Sequence, residues 1–71
     1  MKKQKFIKSL SDLLELELDF TSDFELDSID VMGLVVFLDE EFSIQKTTEQ
    51  LSEISSVKDI LEIVGSDKLI P

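Results

Sequence analysis

A chain of 71 residues with neither cysteine nor histidine has only apolar packing to hold it together. Missing those two residue types, it cannot use disulfides, thiolate nucleophiles, imidazole bases or the usual zinc ligand sets. A chain this short makes a single domain, residues 1–71. It buries only roughly 60% of the surface its unfolded form exposes, so stability is expected to be modest. Cysteine-free composition fits a cytoplasmic protein.

Charge narrows the partners. Sixteen acids against seven lysines give a net charge of −9, and the distribution is uneven. Four lysines fall within residues 2–8, whereas Asp12 to Glu41 holds eleven acids and no base. Such a field repels phosphate backbones and anionic membranes, which argues against nucleic-acid binding. Acidity of this kind can serve solubility alone; the sharper reading is a docking surface for basic partners. The basic start is not followed by the apolar stretch of an export signal, because Lys8, Ser9, Ser11 and Asp12 interrupt it. Leu34 to Leu38 is far shorter than the roughly 20 residues that span a bilayer, so no membrane insertion is expected.

Periodicity predicts an all-α fold. Phe6, Ile7, Leu10, Leu13 and Leu14 share one helical face, and lysines opposing the helix dipole place the start near Lys5. From Glu15 to Leu26 apolar and acidic residues alternate, yet no partner strand is evident; the segment is expected to be a long loop pinned by its apolar side chains. Asp27 and Ser28 supply N-cap chemistry, with Asp30 near the third helical position, and the helix should run to Phe42. Its apolar residues occupy most of the circumference, more than one core-facing stripe needs, so some should be exposed within a rim of Asp30, Asp39, Glu40 and Glu41. Alternatively, this is simply a central helix packed on several sides. Thr47-Thr48-Glu49-Gln50 has the form of a capping box for a short third helix through about Glu53. A fourth begins at Ser56 and ends at Gly65, leaving Ser66 to Pro71 as a tail. The expectation is a small four-helix bundle with a long loop between helices 1 and 2.

The window Asp23-Phe24-Glu25-Leu26-Asp27-Ser28-Ile29-Asp30, continued by Leu34-Val35-Val36-Phe37-Leu38-Asp39-Glu40-Glu41-Phe42, resembles the acyl carrier protein family. The family's signature is Asp-Ser-Leu opening an acidic amphipathic helix; here Ile29 stands for the Leu. The resemblance covers about residues 20–64. It implies that a phosphopantetheinyl transferase with magnesium moves 4'-phosphopantetheine from coenzyme A to Ser28, making the chain a phosphoprotein whose arm carries acyl groups as thioesters. It further implies a monomer that is not an enzyme but a substrate of acyl-loading and acyl-processing enzymes with basic docking surfaces, as in fatty acid, polyketide or related lipid metabolism. Asp27, Asp30, Met32, Val36, Asp39 and Glu40 are the docking residues expected on that reading.

Elementary electrostatics agrees: an anionic group on the Ser28 hydroxyl would sit at the positive end of a helix. The missing cysteine is no obstacle, since the thiol comes with the cofactor. Other roles for Ser28 fail on composition. Without histidine there is no Ser-His-Asp nucleophile, and no Gly-x-Ser-x-Gly elbow is present, so no catalytic residue is expected. Asp23-x-Glu25-x-Asp27 has calcium-loop spacing, but Ser28 occupies the place that needs Gly and Leu34 the place that needs Glu, so no metal site is expected. Three alternatives remain: an aminoacyl or peptidyl carrier, disfavoured because the resemblance would then imply Gly-Gly before the x-Ser where this chain has Glu25-Leu26-Asp27-Ser28; an acidic helical binding module without prosthetic group; and a degenerate carrier that keeps only the fold.

Departures from the family suggest a specialised carrier. The segment ahead of Ser28 is short, which puts the packing of helix 1 in doubt. Gly33 stands where Glu is common, which would remove a docking charge at a helix-propensity cost of about 1 kcal/mol. Lys46 replaces an apolar residue. Leu51 and Ile60 stand where Ala often lies beneath the acyl chain, and their bulk would shrink the interior toward a short or unusual cargo.

Overall fold

Apolar spacing decides which helix faces are buried, and the caps decide where each helix starts. The computed structural model describes residues 1–70. It is all-α, with α1 (Lys3–Leu14), α2 (Ser28–Phe42), α3 (Thr48–Leu51) and α4 (Val57–Val64), followed by a 3₁₀ turn at Ser66–Lys68. Seven side chains from all four helices are essentially sealed from solvent: Phe6, Leu10, Leu34, Leu38, Leu51, Val57 and Ile60. Phe6 is the hub, with its ring centroid 6.3 Å from Phe20, 6.2 Å from Phe37 and 6.1 Å from Phe42. Offset and edge-on pairs at these separations are favourable beyond the area they bury.

The same contacts show that α1 and α2 run antiparallel. Phe6, early in α1, meets Phe37 and Phe42 late in α2, while Leu13 at the other end of α1 lies against Gly33. The short segment ahead of Ser28 therefore still provides a full packing partner for α2, with Phe6, Leu10 and Leu14 all buried.

The expected long loop follows α1, which stops at Glu15 in the left-handed conformation (φ 56°, ψ 40°). Phe24 is buried, and Leu18, Phe20 and Leu26 are half-buried against the core. A turn is fastened by Asp19, whose Oδ1 accepts from the Thr21 amide (2.7 Å) and hydroxyl (2.6 Å). These bonds, the Thr21 hydroxyl foremost, hold its carboxyl below the usual aspartate range. The loop's last stretch is tied to α4: the Phe24 amide donates to the Ser55 carbonyl (2.7 Å) and the Val57 amide to that of Ser22 (3.1 Å). This one antiparallel bridge, Asp23 to Ser56, supplies the partner that the alternating pattern lacked in the sequence, without making a strand.

Three other expectations are corrected. First, α1 begins at Lys3, not Lys5. Its N-cap Lys2 offers no side-chain cap; instead the Lys3 amide donates to the Ile70 carbonyl (2.8 Å) and the Ile70 amide to that of Met1 (3.0 Å). Second, the segment after Gly65 is no loose tail: Leu69 is buried and residues 68–70 close over the start of α1. Pro71, at its end, lies outside the described residues. Third, α3 is one turn ending at Leu51, because once Leu51 is buried the chain must turn toward Ile54 and α4. Its reciprocal capping box, Thr47 with Gln50, forms as the sequence predicts.

Candidate functional site

Ser28 is the first residue of α2, and its immediate neighbours explain its availability. Asp27 alone acts as N-cap: its Oδ1 accepts from the Asp30 amide at 2.8 Å, and the Asp30 carboxylate reaches back to the Asp27 amide at 3.4 Å. The two acids form a reciprocal box, a recurrent way of satisfying the orphan donors of a first turn. The sequence admitted Ser28 as a second capping residue; the structure gives that duty to Asp27 and leaves the Ser28 side chain exposed. Upstream, buried Phe24 and half-buried Leu26 anchor the loop against the core, so the serine is presented from a fixed base.

A groove opens beside this serine between α2 and α3, with a volume of about 450 Å³. Leu26, Val31 and Met32 give it an apolar side, and Thr48, Glu49 and Ser52 a polar one. Leu51 and Ile60, the two bulky residues expected to fill the interior, are both fully buried and do not line it. An extended chain with both amide and methylene groups matches such a lining, so the residues present fit a phosphopantetheine-like arm on Ser28.

Beyond the first turn, α2 divides into faces. Val31, Leu34, Leu38 and Phe42 point into the core. Ile29, Met32 and Val36 are 77, 61 and 53% exposed and, at i, i+3 and i+7, form one outward stripe. Of the expected docking residues, Met32, Val36, Asp39 and Glu40 share this outer side, and Asp27 is exposed at its start, while Asp30 is half-buried in the cap. Ile29, the most exposed large apolar side chain, was absent from that expectation. Its position three before Met32 and seven before Val36 was the available signal.

Gly33 also borders α1: a Cβ there would stand 2.8 Å from Leu13 Cδ1, the tip of a flexible side chain. Among the described residues, no group of three or more acids is placed to hold a metal ion. Nor, among the described residues, is any helix long and apolar enough to cross a membrane.

An exposed serine on a capped acidic helix, beside a groove of mixed polarity, describes a carrier domain. Known proteins agree: the family described as the phosphopantetheine attachment site matches residues 5–64. The match takes in most of α1 as well as the segment that carried the resemblance. The chain is similar to the acyl carrier protein of Phytoplasma mali (39% identical over 51 residues, 72% of this chain and 61% of the relative). It is also similar to those of Coprothermobacter proteolyticus (28% over 78 residues, 94 and 95%) and Helicobacter acinonychis (37% over 54 residues, 76 and 69%). No solved structure matches. The chain belongs to the acyl carrier protein family, whose members are carriers, not catalysts, and bear covalent 4'-phosphopantetheine.

Proposed function

We propose that residues 1–71 act as one monomeric, cytoplasmic carrier domain whose Ser28 hydroxyl bears the phosphopantetheine arm. The observation that carries this reading is the division of labour at the start of α2: Asp27 caps the helix and Ser28 is left exposed. The arm supplies a thiol that holds an acyl group as a thioester. The chain's own residues do the rest. Asp27 and Asp30 fix the first turn, Leu26, Val31 and Met32 offer the arm an apolar bed, and Thr48, Glu49 and Ser52 line the opposite side.

The electrostatics are mixed. The helix dipole favours an anion at Ser28, but the carboxylates of Asp27 and Asp30 flank the same turn and oppose it. This end of α2 therefore suits an arm held covalently and delivered with a divalent cation, more than free phosphate. The acids also match the partners: a phosphopantetheinyl transferase and acyl-loading or acyl-processing enzymes approaching α2 with basic surfaces. Fatty acid or polyketide synthesis, or a related acyl pathway, is the setting this assigns.

The cargo is short or unusual. Leu51 and Ile60 are fully buried, and the groove beside Ser28 does not reach either of them, so it offers a long chain no path into the interior at that point. NMR of the loaded protein tests this: terminal carbons of a long saturated chain should stay solvent-accessible, and their protection would refute the assignment. For the arm itself, purified protein is incubated with coenzyme A, magnesium and a promiscuous transferase, and its intact mass is read. One phosphopantetheine should be gained, and none by Ser28→Ala; no gain in the parent protein leaves an acidic binding module or a degenerate carrier that keeps only the fold.

A further inference from the structure

The exposed stripe of α2 has an edge that belongs to another helix. Gly33 lies four residues after Ile29 and three before Val36, so its Cα sits on the margin of that stripe. Leu13 Cδ1 stands 2.8 Å, and Cγ 3.5 Å, from where a residue-33 Cβ would be. An α1 methyl group thus takes the place from which an α2 side chain would emerge. Leu13 is only half-buried, so part of it faces outward.

Close packing alone explains this poorly. The atom opposing a Cβ is the far end of a flexible side chain, which can move, while glycine inside a helix is costly relative to alanine. Local rules broken beside an exposed apolar stripe point to function. We propose that Leu13 is a specificity-determining contact for the enzyme that loads Ser28. The docking surface then spans two helices: Ile29, Met32 and Val36 from α2, and Leu13 from α1 in place of a residue-33 side chain. The surface rimmed by Asp27, Asp39 and Glu40 fits a basic partner with an apolar centre. This rests on the reading of Ser28 as the loading site.

Loading kinetics test it, with transferase, coenzyme A and magnesium, and carrier concentration varied. Leu13→Ala and Gly33→Ala should each raise the carrier KM, by roughly fivefold, with kcat near the parent value. Leu16→Ala, an exposed leucine on the loop after α1, should leave both unchanged. Leu13→Ala also loosens packing; Gly33→Ala keeps every core side chain and displaces only the Leu13 tip, so it carries the test if the first variant unfolds. A parent-like KM in folded Gly33→Ala, or an equal rise in Leu16→Ala, would overturn the proposal while leaving Ser28 loading intact. Absence of loading in the parent protein would overturn both.

Discussion

At residue scale, the start of α2 separates two roles that one serine often combines. Because Asp27 carries the cap, Asp27→Ala should lower stability by about 1 kcal/mol in urea titration. Ser28→Ala should leave the unfolding midpoint nearly unchanged while removing the hydroxyl. A comparable loss in both would mean the serine shares the capping. Asp59 is a second residue whose bonds reach beyond its helix. Its Oδ2 accepts from the Ser55 amide at 3.1 Å, and the Ser55 carbonyl accepts in turn from Phe24, so one carboxylate braces both the α3–α4 connection and the loop ahead of Ser28. The Ser55 amide is the main cause holding this carboxyl below its ordinary value of 3.8. A folded-state value below the unfolded one means the stabilisation is complete above the ordinary value and is lost as pH falls through the folded one. Parent protein should therefore exceed Asp59→Asn in urea midpoint near neutrality, with the gap closing under acid; a gap that is constant with pH would contradict the assignment.

At the scale of elements, the ends of the helices carry most of the information. Four lysines crowd the start of α1, and Asp39, Glu40 and Glu41 the end of α2, each opposing its own helix dipole. Antiparallel packing, fixed by Phe6 against Phe42, brings these two ends to the same end of the helix pair. The C-terminal segment adds a different support, since Leu69 is 5% exposed and its neighbours hydrogen-bond to the first residues of the chain. Leu69→Ala should cost about 2 to 4 kcal/mol in urea or thermal unfolding; an effect within a few tenths would mean that the segment is ornamental. The helices of the chain were legible because their signals are local: apolar spacing for α1, Asp27 with Asp30 for α2, Thr47 with Gln50 for α3, Ser56 and Gly65 for α4. Leu69 was not, since two adjacent apolar residues, Leu69 and Ile70, define no period. The contact between Gly33 and Leu13 was not legible either, since the two lie twenty residues apart in sequence and no pattern within α2 could reveal it.

For the whole molecule, a charge of −9 on so short a chain sets both stability and recognition. Self-repulsion opposes the compact state, and salt screens it within about 10 Å at 0.1 M. Attraction to a basic partner is screened by the same ions. Added salt should therefore raise the unfolding midpoint of the free protein and also raise the carrier KM for loading. A salt-independent KM would mean that the acids serve solubility alone. Composition had already confined the molecule to apolar packing and borrowed chemistry, and the proposed point of attachment is the exposed Ser28. Localising the arm within the loaded protein tests this most directly. After loading from coenzyme A, fragmentation of the peptide that contains the start of α2 should place the entire mass gain on Ser28. An arm on any other serine, such as Ser22 or Ser52, or an unmodified Ser28 in protein that has gained the mass, would contradict the account.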